Sequence, residues 1–217
     1  MNRQIVNSDI DGRFKSDISR EAAETYFRAA QRSLEEDRAA AFASFDDLFR
    51  SGVVPRPAPG RYQGELLAVE LFPPMARFVA SMQQRFHYWI GKTFDPYQQK
   101  GDNILDRHAH PWFALFLPFY RGKRPDSATT FRALKFRTYA APALKEKDVT
   151  VLKIDYDLPG NPSFSIRRVL DELVELADGF YLGRAYFHWW WGPWQRVAYF
   201  SLRKSDLGVQ GHKRYLW

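Results

Sequence analysis

The sequence predicts a β-rich, α+β chain: an antiparallel β-barrel of about eight strands with N-terminal helices and one inserted helix. Three observations carry this prediction. Residues 16–51 hold apolar side chains at helical spacing, with charge between them and neither proline nor internal glycine. After residue 60, short strand-like runs recur between turn residues. Two of those runs, 131–140 and 149–156, are apolar on both faces, whereas a one-layer sheet would alternate cleanly. Cover on both sides fits a closed barrel with helices outside or a ligand inside.

In chain order, 1–52 reads as a helical arm with Ala22, Tyr26, Ala29, Ala30, Ala40, Phe42, Phe45, Leu48 and Phe49 on its apolar positions. It forms one or two helices, with Ser19 as N-cap, Glu21 and Glu24 in the first turn and Gly52 at the stop. Residues 53–60 form a linker, because three alternating prolines allow neither helix nor central strand. The barrel domain, 61–204, opens with a strand over 61–70. A proline-led helix follows, with Met75, Phe78, Val79, Met82 and Phe86 three and four apart, ending near Trp89. Strands are expected at 91–94, 103–105, 112–121, 130–140 and 149–156. A helical turn within 165–176 leads into the next strand, Ala177-Asp178-Gly179 turns the chain into 180–188, and Trp189-Trp190-Trp191-Gly192-Pro193-Trp194 turns it into 195–204. A basic tail, 205–217, closes the chain.

Composition narrows function more than it names it. The chain has 217 residues, 45% of them hydrophobic and 26% charged, enough for a self-sufficient core. Having no cysteine, it excludes thiol catalysis, thiolate zinc and iron–sulfur sites. A net charge of +7 favours acidic partners. The 17% aromatic content implies that rings are enclosed or presented in quantity. Residues 1–14 carry no hydrophobic run that could serve as a signal sequence, so a cytoplasmic location is expected.

Gly60-Arg61-Tyr62-Gln63-Gly64, the run from Trp89 to Asp95, the run from Lys153 to Pro162, the run from Ala177 to Gly183 and Tyr199-Phe200-Ser201-Leu202 carry a resemblance across residues 45–204. The chain resembles an uncharacterised bacterial family of lipocalin-like (calycin) barrels, similar to the GxWxG-type proteins, with Tyr62 where those carry tryptophan. The resemblance implies a barrel around an apolar cavity that takes a small hydrophobic molecule; some calycins act as cyclases, decarboxylases or haem carriers.

The expected lining is Tyr62, Trp89, Phe94, Phe136, Tyr156, Tyr181 and Phe200, with Arg137 as polar anchor at a mouth shared with Lys153 and Asp155. Against this clamp stands a plain row of surface ion pairs along the hairpin. His108 and His110 would share one face of a strand, but no third ligand follows and a solvated loop before Pro111 is the favoured reading, so no metal and no cofactor is expected. His188 is the one candidate axial ligand for haem. Asp171, Glu172 and Glu175 read as surface. The absence of a phosphate loop, HExxH or GxSxG argues against the commonest hydrolytic and phosphoryl-transfer chemistries.

Three consecutive tryptophans cannot all face one core. The hairpin at Trp189, Trp190, Trp191 and Trp194 therefore reads as a homodimer contact, a cap on the barrel mouth or a peripheral contact with lipid headgroups, against packing on the N-terminal helices. His212, Lys213, Arg214 and Trp217 suit anionic lipid or nucleic acid, yet the scattered basic residues match no nucleic-acid motif, and no specific nucleic acid is expected. The expected function is binding of a small hydrophobic or aromatic molecule in the barrel; the alternative is a cofactor-free cyclase or isomerase acting on an apolar intermediate there.

Overall fold

The computed structural model describes residues 20–70 and 88–205. The proline-led helix expected before Trp89 and the basic tail beyond Ser205 lie outside the described residues. The N-terminal arm is two helices, α1 (Arg20–Glu36) and α2 (Arg38–Ser51). Asp37 breaks them: its backbone is extended and its carboxylate accepts the N–H groups of Ala39 and Ala40 at 3.0 Å, capping α2. Ala23, Phe27 and Ala30 of α1 and Ala41, Phe45 and Phe49 of α2 form the buried stripe.

The strands are β1 (Gly60–Val69), β2 (Trp89–Asp95), β3 (Lys100–Asp106), β4 (Arg124–Pro125), β5 (Thr130–Pro142), β6 (Thr150–Asp155), β7 (Val169–Ala177), β8 (Phe180–His188) and β9 (Trp194–Lys204). Eight of them close an antiparallel barrel: β1 pairs with both β2 and β9, and β3 pairs with β5 from Lys100↔Arg137 to Asp106↔Thr130. β4 adds two residues beside β5. The expected strand over 112–121 is instead a helix, α3 (His110–Phe116), followed by loop. Pro111 in its first turn carries the φ a helix start needs, and an apolar run without periodicity does not reveal that choice.

Alternation then divides the aromatics. Phe180, Leu182, Val174, Val151 and Tyr199 face outward beneath α1 and α2, with Phe27 edge-on to Phe180 at 5.2 Å and Phe45 on Tyr199 at 5.1 Å. A buried ionic clamp ties the helices down. Arg184, fully buried, joins Asp46 and Glu146 with its guanidinium 3.9 Å from the Phe49 ring centre, while Arg196 joins Asp46 and Glu70. Residues 53–60 are seated on the barrel: Val53 exchanges backbone hydrogen bonds with Glu175, and Pro55 and Pro57 are buried. Because every neighbour is antiparallel, the connections after β1, β3, β6 and β8 leave one end of the barrel, and those after β2, β5 and β7 leave the other.

Candidate functional site

The inward face of the strands converges on one lysine. β2 turns Lys92 and Phe94 inward, β3 contributes Asn103, β5 Phe136, β7 Asp171 and Leu173, and β9 Phe200 and Leu202, with Tyr156 just past β6. The Lys92 ammonium lies 2.9 Å from Asp171 Oδ2 and 3.0 Å from Asn103 Oδ1, and it donates to the Tyr156 hydroxyl. Tyr156 in turn donates to Asp171 at 3.1 Å. Rings of Trp89, Phe136, Tyr156 and Phe200 surround the ammonium at 5.2–5.4 Å.

The supports of this group are as specific as its members. Trp89 Nε1 donates to Asn103 Oδ1 at 3.0 Å, and Asn103 Nδ2 donates to the Leu134 carbonyl at 3.1 Å. Leu134, a bulged position of β5, has φ of +54°, a left-handed conformation that a leucine adopts only when its surroundings enforce it. The Leu134 N–H is held by the Tyr120 hydroxyl at 2.7 Å. Burial pushes the Lys92 amine below its ordinary range against the opposing pull of Asp171, and burial together with the Asp171 charge pushes Tyr156 well above. Amine, phenol and carboxylate thus share protons within one desolvated network, able to hold or polarise an oxygen of a guest molecule.

All seven expected lining aromatics meet here. Tyr62 touches Phe94 and Tyr181 at 5.2 and 5.5 Å, Phe94 touches Phe136 at 5.5 Å, Phe136 touches Tyr156 at 5.6 Å and Trp89 touches Phe200 at 5.5 Å. Trp89, Phe136 and Phe200 lie so close over Gly64, Gly101 and Gly183 that a Cβ at any of the three would collide with a ring. The rings pack against one another across the interior, so a guest must displace side chains. Trp89, half-buried at the end with the longer connections, is the ring nearest solvent.

Arg137 is not part of this interior. It lies exposed on the outer face of β5, its Nε and Nη2 on Asp155 at 2.9 and 2.7 Å, as the expected ion pair of the β5–β6 hairpin. Lys153 turns instead to Glu172, which also accepts the Leu144 N–H. Beside Asp155 is an outer cleft of about 440 Å³ lined among others by Tyr139, Arg167, Arg168, His188 and Trp194. His188 stacks on Trp194 at 5.1 Å outside the barrel, where it cannot serve a haem within it. His108 and His110 sit on a 3₁₀ turn and the start of α3 rather than on a strand: His108 bonds Asp106 at 2.6 Å and His110 packs on Phe131. Among the described residues, no group of three or more His, Asp or Glu side chains is placed to hold a metal.

In the β8–β9 turn Trp189 is half-buried and bonded to Gln195, while Trp190 and Trp191 are 57% and 78% exposed. Their ring contacts are with Phe187, each other and Trp189, and Arg168 lies over Trp190 at 5.0 Å, rather than with α1 or α2. Sequence reasoning missed Lys92, Asn103 and Asp171, and Asp171 and Glu172, read as surface, are buried. Their signal was a polar side chain alternating in step with apolar ones: Lys92 with Phe94, Asp171 with Leu173, Asn103 with Leu105. Comparison with protein-family descriptions, curated proteins and solved structures returns no match for this chain. Function is read from the barrel itself.

Proposed function

We propose that the barrel, of calycin type and working in the cytoplasm, binds a small hydrophobic or aromatic molecule whose oxygen-bearing group engages Lys92 and Tyr156. The observation that carries this reading is the Lys92–Asp171 pair, 2.9 Å apart and with side chains 3% and 5% exposed, in the middle of an otherwise aromatic interior. A buried ion pair adds little net stability compared with well-packed apolar side chains, so stability alone does not account for it. A desolvated cation with a carboxylate and a phenol in contact is a typical anchor for one polar group of an apolar guest. Trp89 is the side chain whose displacement admits that guest.

The shared protons of Lys92, Tyr156 and Asp171 favour one further reading, a cofactor-free cyclisation or isomerisation in the same place. Titration with 8-anilinonaphthalene-1-sulfonate, an apolar aromatic anion, tests the binding function. Saturable one-to-one binding is expected, lost in a folded Lys92→Met/Asp171→Val variant. Equal binding by that variant would remove the anchor from the account. Conversion of a bound carbonyl compound to an isomer, absent in the same variant, would move the reading from carrier to enzyme.

A further inference from the structure

The end of the barrel that carries the longer connections is unlike the other. Among the described residues, five of the nine large hydrophobic side chains left exposed lie on connections leaving it: Leu115 and Phe119 after β3, Phe164 after β6, and Trp190 and Trp191 after β8. Phe119 is 93% exposed and Trp191 78%. Exposed apolar groups are unremarkable singly but mark a contact surface when gathered. Among the described residues, the connections at this end carry the basic residues Arg107, Arg121, Lys123, Arg167 and Arg168 against the acidic Glu70, Asp126 and Asp157. At the opposite end the turns hold Lys145 and Lys147 against Glu146, Asp148 and Asp178.

We propose that this end docks on an anionic lipid surface, with Trp190 and Trp191 in the headgroup layer. Charge selects the occupant: a net positive rim around protruding aromatic tips complements a negatively charged membrane face. The chemistry of the tips agrees, because an indole is apolar over its ring and carries an N–H donor, the combination that settles at the boundary between acyl chains and headgroups. Among the described residues, neither the Trp190 nor the Trp191 N–H has a hydrogen-bond partner within the protein. Arg168, stacked on Trp190, holds a cation at the depth of the lipid phosphates. This contact does not depend on whether the barrel interior binds a ligand.

The test is co-sedimentation of the full chain with phosphatidylcholine vesicles, with and without phosphatidylglycerol, at ~0.1 M and ~1 M salt. Binding to the phosphatidylglycerol vesicles, weakened by salt and feeble on the neutral ones, is the expected result. Trp190→Ser/Trp191→Ser should lower the affinity at least about tenfold. Arg121→Gln/Lys123→Gln, which leaves every tryptophan in place, should lower it about 30-fold, from roughly fivefold for each basic side chain near such a surface. Near-ultraviolet circular dichroism establishes that each variant is folded. Wild-type protein remaining in the supernatant with anionic vesicles overturns the proposal. So does a dimer in sedimentation that the tryptophan variant dissociates while vesicle binding is absent, which would assign the surface to a second copy of the chain.

Discussion

Replacing Lys92 by methionine removes the ammonium while keeping most of its volume, and leaves the Asp171 carboxylate buried with only the Tyr156 hydroxyl as partner. Two charges 2.9 Å apart attract by about 6 kcal/mol at an effective dielectric constant of about 20. Against that stands a desolvation cost of several kcal/mol for each ion, so the intact pair nets close to zero while either half alone is strongly unfavourable. Lys92→Met and Asp171→Val should therefore each cost about 3–5 kcal/mol, a large part of the stability of such a domain. The double variant should return to within about 1 kcal/mol of wild type, since the Tyr156 hydroxyl keeps Asn103 as partner. Urea unfolding of the four proteins, with equal slopes, gives the coupling energy directly. Single variants costing under about 1 kcal/mol, or a double variant whose loss is the sum of the two, would refute the reasoning.

Two further predictions concern the frame around the site. Gly91 has φ of +152°, and a Cβ there would run into the Tyr62 carbonyl oxygen, so Gly91→Ala should cost about 3 kcal/mol and lower Tm by roughly 6–12 °C; an unchanged melting temperature would contradict the close β1–β2 approach. Burial raises the Asp46 carboxyl, but the Tyr199 hydroxyl, Arg184 and Arg196 outweigh it and hold the folded pKa below 3.8. Its contribution is therefore present above the unfolded value and lost as pH falls through the folded one. Asp46→Asn should destabilise by about 2 kcal/mol near pH 6 and by distinctly less near pH 3, and an equal loss at both would count against the ionic clamp.

Much of the barrel was legible because its local signals agree. Ala177-Asp178-Gly179 marks a hairpin, and Gly179 indeed has φ of +68°. The double-sided hydrophobicity of β6 is explained by Leu152 and Ile154 inside and Val151 beneath the helices, whereas the outer face of β5 leaves Lys135, Arg137 and Tyr139 exposed. The seven aromatics expected to line a cavity share the inward face, where they pack against one another, and alternation from Tyr62, Phe94, Phe136 and Phe200 made that face readable. Arg137 was misplaced because both faces of β5 carry apolar residues in the sequence, so parity alone could not say that Arg137 faces water. The bulges at Leu134 and beyond Leu66 shift parity within a strand, and no residue type announces them. Asp171 looked like surface because a lone carboxylate usually is; its partner lies 79 positions away in the chain.

Native mass spectrometry of freshly purified protein tests the central claim most directly. Release and identification of one small apolar molecule bearing a carboxylate, carbonyl or hydroxyl group, retained by wild type and missing from the folded Lys92→Met/Asp171→Val variant, is the outcome the Lys92 anchor demands. A bare chain mass, joined by failure of the wild type to bind 8-anilinonaphthalene-1-sulfonate, would contradict it and leave the aromatic interior as core.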